Sequence, residues 1–412
     1  MLIPEKRIAD FEKLGFGMFV HWGLYSQIGK GEWYYHHSDI KMEEYKKLQN
    51  TFTAEDFDAE KLVLTAKNAG CKYITLTTRH HEGFSLYDTC GLNEYDSVHS
   101  PAKRDLVREF VDACHKYNII PFLYHTTLDW ARVDFENDFD IYLEYLRQSV
   151  EILCKNYGKI GGLWFDGNWS KPTGTDWKLD ELYSTIRRYQ PDAMIINNTG
   201  LDARGEIGHP EIDSVTFEQG RPAPLDRSNM KKYVSAEMCY TLNDHWGIGY
   251  NDFNYKSTKE FIECLCDCRK VGANFLLNIG LTAQGGIVPI QEEYLKIIGR
   301  WTDIFGEAIY NGEPYIYEKN SKHFILKGED NTLYIFVYDL GQRGSEHVIA
   351  NSSSEVNHAF CGIQEKIKEI RWLDEPEYKL EFKQQGDKLS VRFNGVPYGC
   401  SYCVRVAKAV AE

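Results

Sequence analysis

The chain lacks any apolar run near the roughly 18 residues that a membrane-spanning helix needs, so no helical span is expected. It lacks internal repeats and low-complexity linkers. It also lacks a basic surplus: 61 acidic residues face 47 basic ones, a net charge of −14. Such a balance repels phosphate backbones, so nucleic acid is not expected as a partner, and without an apolar span neither is a membrane. The first stretch, Met1 to Lys13, is charged and has no apolar signal core. As it stands the chain is expected in the cytoplasm, and a trimmed leader would leave a secreted or periplasmic protein looking the same. Cysteine is too sparse for a disulfide scaffold, with eleven thiols scattered over 412 residues. Cys264, Cys266 and Cys268 alternate within a helical pattern, which spreads them around the cylinder and away from any one metal. Cys400 and Cys403 have CxxC spacing, but no second pair accompanies them and their run alternates like a strand. Reduced, structural thiols are expected throughout.

What the chain does contain is globular: 43% hydrophobic and 26% charged residues. The length allows two or three domains, or one large barrel with a small companion. Aromatics reach 14%, with 27 Tyr and 9 Trp, which suits a sugar-stacking site and equally a large core.

Short apolar runs alternate with amphipathic helical patterns over the first three quarters. The runs are 15–20, 72–76, 119–123, 161–165, 193–196, 214–217, 233–236 and 274–277. Helical stripes lie over 103–117, 138–158, 176–190, 258–271 and 289–303, while the connections after the fifth and sixth runs show none. Bounded apolar runs read as buried parallel strands. The order predicts an irregular (β/α)8-like barrel over 1–306. From 307 the pattern changes to short strands, including a hairpin across Gln385-Gly386-Asp387, which predicts a small C-terminal β-sandwich over 307–412.

Each apolar run turns polar where it ends, and in a parallel barrel those ends share one catalytic face. His21, His80, His81, Tyr124, Asp166, Asn198, Glu218, Glu237 and Asn278 are therefore expected at one mouth. Asp166, after Leu-Trp-Phe and before Gly167, is a carboxylate in aromatic surroundings. Glycoside hydrolysis uses a pair of carboxylates, and Glu218 and Glu237 are both open as the partner. The adjacent rings of His80 and His81 are expected to face opposite ways, as neighbours on a strand do. That disfavours a metal centre and favours neutral imidazoles bonded to hydroxyls. Glu32 and Trp33, in the first long loop, offer a carboxylate and a stacking face.

Five segments occur in order: Phe19-Val-His-Trp-Gly23, Glu32-Trp-Tyr34, Thr77-Thr-Arg-His-His-Glu-Gly-Phe84, Leu163-Trp-Phe-Asp-Gly167 and Asn274-Phe-Leu-Leu-Asn-Ile-Gly280. Together they resemble family 29 of the glycoside hydrolases, the α-L-fucosidases, over about residues 11–312. The resemblance implies a retaining double displacement with no metal and no cofactor. It implies Asp166 as nucleophile and Glu218, in Thr-Phe-Glu-Gln, as acid/base. His21, Glu32, Trp33, His80, His81, Tyr124 and Trp164 match positions that hold the fucose ring. Glu237 resembles an alternative acid position and is carried as a substrate-binding residue. Ala236 stands where a Trp is common in the family, and Asn198-Thr199-Gly200 where many relatives have Asn-x-Arg, so Arg204 from the following loop is the candidate replacement.

The reading is an exo-acting retaining α-L-fucosidase acting on fucosylated oligosaccharides or glycoconjugates. Another retaining exo-glycosidase on the same barrel, a metal-dependent hydrolase and an inactive carbohydrate-binding relative are its rivals. Linkage, aglycone and the role of the C-terminal domain are left open. So is the oligomeric state, a homo-oligomer among the alternatives.

Overall fold

A computed structural model describes residues 2–199, 208–228, 230–343 and 355–412. Eight parallel strands close into a barrel in sequence order. They are β1 (Phe16–His21), β2 (Tyr73–Arg79), β3 (Ile120–Thr126), β4 (Gly162–Asp166), β5 (Met194–Asn198), β6 (Ser214–Glu218), β7 (Ser235–Thr241) and β8 (Ala273–Gly280). Helices follow β2, β3, β4 and β7 at Leu106–Tyr117, Phe139–Asn156, Leu179–Tyr189 and Thr258–Lys270. Three of these start at an aspartate or serine whose side chain accepts a backbone N–H three residues on: Asp105, Asp138 and Ser257. Among the described residues no helix lies between β5 and β6 or between β6 and β7. Nor is any helix long and apolar enough to cross a membrane.

Rings fill the barrel interior. Phe19, Tyr73, Phe122, Tyr124 and Trp164 are buried there, and Phe11 of the helix Lys6–Leu14 packs on Tyr73 and Phe122 from the bottom. The register makes room for them: Tyr73 lies beside Gly17 and Phe122 beside Gly162. Each such side chain removed from water contributes about 1.5–3 kcal/mol.

The strands run further than the apolar runs that announce them. β2 continues through Thr77, Thr78 and Arg79, and β7 spans 235–241 instead of stopping before Glu237. Residues inside a barrel can be polar when they pair with one another, so apolarity underestimates strand length there.

The C-terminal strands form two antiparallel sheets. Across the five-stranded sheet the order is β13 (Ile367–Trp372), β16 (Val404–Ala411), β11 (Thr332–Tyr338), β10 (Phe324–Lys327) and β9 (Glu313–Tyr317), and across the three-stranded sheet it is β12 (Glu355–Phe360), β15 (Lys388–Asn394) and β14 (Glu381–Gln385). Their inner faces share one core, with Ile335, Val337 and Trp372 from the first sheet and Leu389, Val391 and Phe393 from the second, so this is a β-sandwich. The expected hairpin is present, with Gln385 opposite Lys388. Its first strand is Glu381–Gln385. Cys400 and Cys403 sit in the turn before β16, not in the strand, and none of the eleven cysteines is in a disulfide.

Two compact units are found, Met1–Lys256 with Asn274–Lys296, and Ser257–Ala273 with Ile297–Glu412. The helix Thr258–Lys270 and the later part of Pro289–Asn311 group with the second unit.

Candidate active site

A cavity of about 140 Å³ opens at the C-terminal ends of the barrel strands. A larger hollow of about 580 Å³ lies at the opposite end, against Pro121, Gly161 and Met194, where strands begin. Chemistry in parallel barrels belongs to the C-terminal face, and the smaller cavity there is lined by both Asp166 and Glu218.

Asp166 is the last residue of β4, beside Thr126 and Asn198 in register. The chain turns sharply after it. Gly167 has φ 117°, and a β-carbon there would lie 2.6 Å from the Leu128 nitrogen. The following turn brings Trp169 back, and its Nε1 donates to Asp166 Oδ1 at 2.8 Å. Tyr124 donates to Oδ2 at 3.3 Å, and His81 Nε2 stands 3.5 Å from the same oxygen. Burial pushes the Asp166 pKa up, but His81, with help from Trp169 and Tyr124, outweighs it and holds the carboxyl below its ordinary value.

Glu218 ends β6. Asn198 links the two carboxylates, its Nδ2 donating to Glu218 Oε2 at 2.8 Å and to Asp166 Oδ1 at 3.3 Å. The amide is oriented by Thr216, whose hydroxyl donates to Asn198 Oδ1 at 3.0 Å.

His21 faces the cavity from β1. Asn278 Nδ2 donates to the Trp246 carbonyl at 2.8 Å, which turns Asn278 Oδ1 toward His21 Nδ1 at 2.6 Å. Burial lowers the His21 pKa to about 3, so the ring is neutral. Its proton therefore sits on Nδ1, and Nε2 is left as an acceptor. Phe19, Trp164 and Trp246 form an apolar wall, with Phe19 centred 5.2 Å from Trp164 and 5.8 Å from Trp246. Trp33 closes another side, stacked on Trp169 at 5.6 Å.

Several sequence expectations change. His80 and His81 do not face opposite ways: their ring centroids are 4.2 Å apart. β2 ends at Arg79, so strand alternation no longer applies to them. Glu237 is not at the mouth. It pairs with Thr216 in register, whereas Glu218 pairs with Cys239, which puts Glu237 two residues, about 7 Å, deeper. There it accepts hydrogen bonds from Trp164 Nε1 at 2.8 Å and from the Tyr73 hydroxyl. It supports the pocket floor. Glu32 is also buried, and its Oε2 accepts the backbone N–H of Trp246 at 3.1 Å and of Gly247 at 2.7 Å. It pins the loop that carries Trp246 and does not line the cavity. Arg204 lies outside the described residues. His21, Trp33, His80, Tyr124, Trp164, Asp166 and Glu218 do line one pocket.

Trp169, Trp246 and Phe19 were missed as wall residues. Trp169 follows Asp166 by three residues, and Trp246 stands in a polar loop before Gly247, where an exposed aromatic is the only signal. No cluster of three or more His, Cys, Asp or Glu among the described residues is arranged to hold a metal ion.

A parallel barrel carrying two bridged carboxylates among aromatic rings at its C-terminal face defines a glycoside hydrolase. The α-L-fucosidase family model matches residues 5–307. The tissue α-L-fucosidase of Mus musculus is 31% identical over 359 residues, covering 80% of this chain and 77% of its own. The α-L-fucosidase isoenzyme 1 of Paenibacillus thiaminolyticus superposes with a TM-score of 0.84 at 30% identity, covering 99% of each chain. An α-L-fucosidase of Bacteroides thetaiotaomicron, trapped as a covalent intermediate with 2-fluoro-fucosyl fluoride, shares the fold with a TM-score of 0.83 at 21% identity, covering 100% of this chain and 97% of its own. The chain belongs to the α-L-fucosidase family.

Proposed function

We propose that this pocket removes a terminal α-L-fucosyl residue with retained configuration, Asp166 acting as nucleophile and Glu218 as acid/base. One observation carries the reading: a single amide nitrogen of Asn198 bonds both carboxylates. The two legs bound the separation of the bonded oxygens at about 6 Å, short of the roughly 6.5–9.5 Å that an inverting pair needs for an intervening water. Asp166 Oδ attacks the anomeric carbon while the glycosidic C–O bond breaks and Glu218 gives its proton to the leaving oxygen. The product is a fucosyl ester on Asp166. Esterification removes one negative charge from the pair, and Glu218 then takes a proton from water as the water attacks the same carbon. L-fucose leaves and Asp166 is again a carboxylate.

His81 beside Asp166 supports the nucleophile's ionised form at ordinary pH. The neutral His21 offers Nε2 as an acceptor for a sugar hydroxyl. The wall of Phe19, Trp164 and Trp246 suits the methyl group of a 6-deoxy sugar. Developing positive charge on the ring is stabilised by Asp166 in a largely enclosed site. Proton NMR of freshly released sugar tests the mechanism: α-L-fucose must appear first. Initial release of the β-anomer would remove the covalent intermediate and the role of Asp166. Asp166→Ala is expected to abolish turnover of an aryl α-L-fucoside, with partial rescue by azide.

A further inference from the structure

His80 presents one side of its ring to the pocket, stacked on Tyr124 with centroids 5.7 Å apart. Its Nδ1 is buried and has no hydrogen-bond partner. Glu82 stands opposite, with Oε2 at 3.6 Å from that nitrogen. The Glu82 carboxyl is fully buried, and apart from loose approaches of the Leu24 and Glu82 backbone N–H groups neither oxygen has a hydrogen-bond partner. The hydroxyls of Tyr25, Tyr45 and Tyr95 and Oδ2 of Asp129 are likewise buried without a partner, and each of these groups acts electrostatically on Glu82. Buried polar atoms are rarely left unpaired, and a group of them facing each other marks either ordered water or a bond that closes on binding. The carboxyl lies close against Gly23, where a β-carbon would collide with Glu82 Oε1.

We propose that Glu82 is a positioning residue that pairs with Nδ1 of His80, directly or through one water, and so decides which ring nitrogen carries the proton offered to the sugar. The proposal rests on reading the pocket as the fucosyl site. Burial keeps the His80 ring neutral, so one nitrogen donates and the other accepts. A protonated Glu82 donates to Nδ1 and leaves a proton on Nε2, which then donates into the pocket. An ionised Glu82 accepts from Nδ1 and leaves Nε2 an acceptor. The groups that face Glu82 are His80, Glu32, Asp129, Tyr25, Tyr45, Tyr95 and Tyr124. Burial outweighs the pull of the Glu82 and Leu24 backbone N–H groups and, with Asp129 and Glu32 adding to it, raises Glu82 to about 8, so Nε2 is the donor at neutral pH.

The test is the ¹⁵N spectrum of the histidine-labelled full chain without substrate, at pH 6 and pH 9.5, with the His80 signals assigned by His80→Gln. The wild type is expected to carry the proton on Nε2 at pH 6 and on Nδ1 at pH 9.5. Glu82→Gln, which keeps the volume and cannot ionise, is expected to lose that exchange. Glu82→Leu is expected to give a mixture of tautomers and about a tenfold drop in kcat/KM for an aryl fucoside, comparable with removal of other groups that orient a histidine. A tautomer that is the same in the wild type and both variants overturns the proposal, whatever happens to the melting temperature. A tautomer that follows the identity of residue 82 in a chain that hydrolyses no fucoside leaves the proposal standing and removes the sugar assignment instead.

Discussion

Glu237 is the most informative residue to perturb, because its burial ties stability to pH. The folded protein holds its carboxyl beneath Trp164, bonded to Trp164 Nε1 and the Tyr73 hydroxyl. Burial lifts its pKa from the ordinary 4.5 to about 7, against the pull of those two bonds. In the unfolded chain the group ionises near its ordinary value. Below pH 4.5 both states are protonated and the group has no effect on stability. Between pH 4.5 and 7 the folded state keeps a proton that the unfolded state has lost, so stability falls as pH rises. Above pH 7 the whole difference is missing, about 3 kcal/mol at 1.36 kcal/mol per unit. Gln at this position keeps the shape, accepts from Trp164 and never ionises. Urea denaturation of wild type and Glu237→Gln at pH 5, 6, 7 and 8 measures the effect. The variant is expected to gain on the wild type from pH 5 to 7 by about 2 kcal/mol, the remainder of the difference lying below pH 5, and then to run nearly parallel to it. Curves that stay parallel from pH 5 to 8 would refute the buried, protonated state. The same variant also separates the two acid candidates, since it is expected to cleave fucosides with poor leaving groups as readily as activated ones.

Glu218→Ala is expected to do the opposite, slowing substrates with poor leaving groups by about 10²–10⁴-fold while largely sparing activated aryl fucosides, as steady-state kinetics over a leaving-group series will read. His81→Leu removes the main group that holds Asp166 below its ordinary pKa, so the acidic limb of the kcat/KM profile should move to higher pH; an unmoved limb contradicts the assigned cause. Gly167→Ala forces a β-carbon against the Leu128 backbone at φ 117°, and thermal melts should show a loss of roughly 1–3 kcal/mol together with reduced activity.

The barrel was legible because buried parallel strands are nearly continuous apolar runs, and each of the eight runs became a strand. The ends of those strands were less legible. Thr77, Thr78 and Arg79 look like a loop in sequence, yet they are buried strand residues, with Arg79 bonded to Ser85 and Tyr87. Glu237 reads as a strand terminus by the same reasoning and is in fact the third residue of β7. Polar residues that satisfy each other inside a barrel carry no local mark of their burial. Trp246 is held at the pocket by Glu32, more than two hundred residues earlier, which binds its backbone N–H, and by Asn278, which donates to its carbonyl, and no short window of sequence contains all three.

The order of strands, the terminal carboxylates of β4 and β6 and the family's ordered segments follow from the amino-acid sequence by itself, since they depend on periodicity and residue type. Which of Glu218 and Glu237 shares a donor with Asp166, and which lies beneath Trp164, was decided by tertiary structure alone. The register between β6 and β7 sets that choice, and a shift of two residues along a strand moves a carboxylate from a polar mouth into an apolar floor. Register is a property of two chain segments in contact, so neither segment records it.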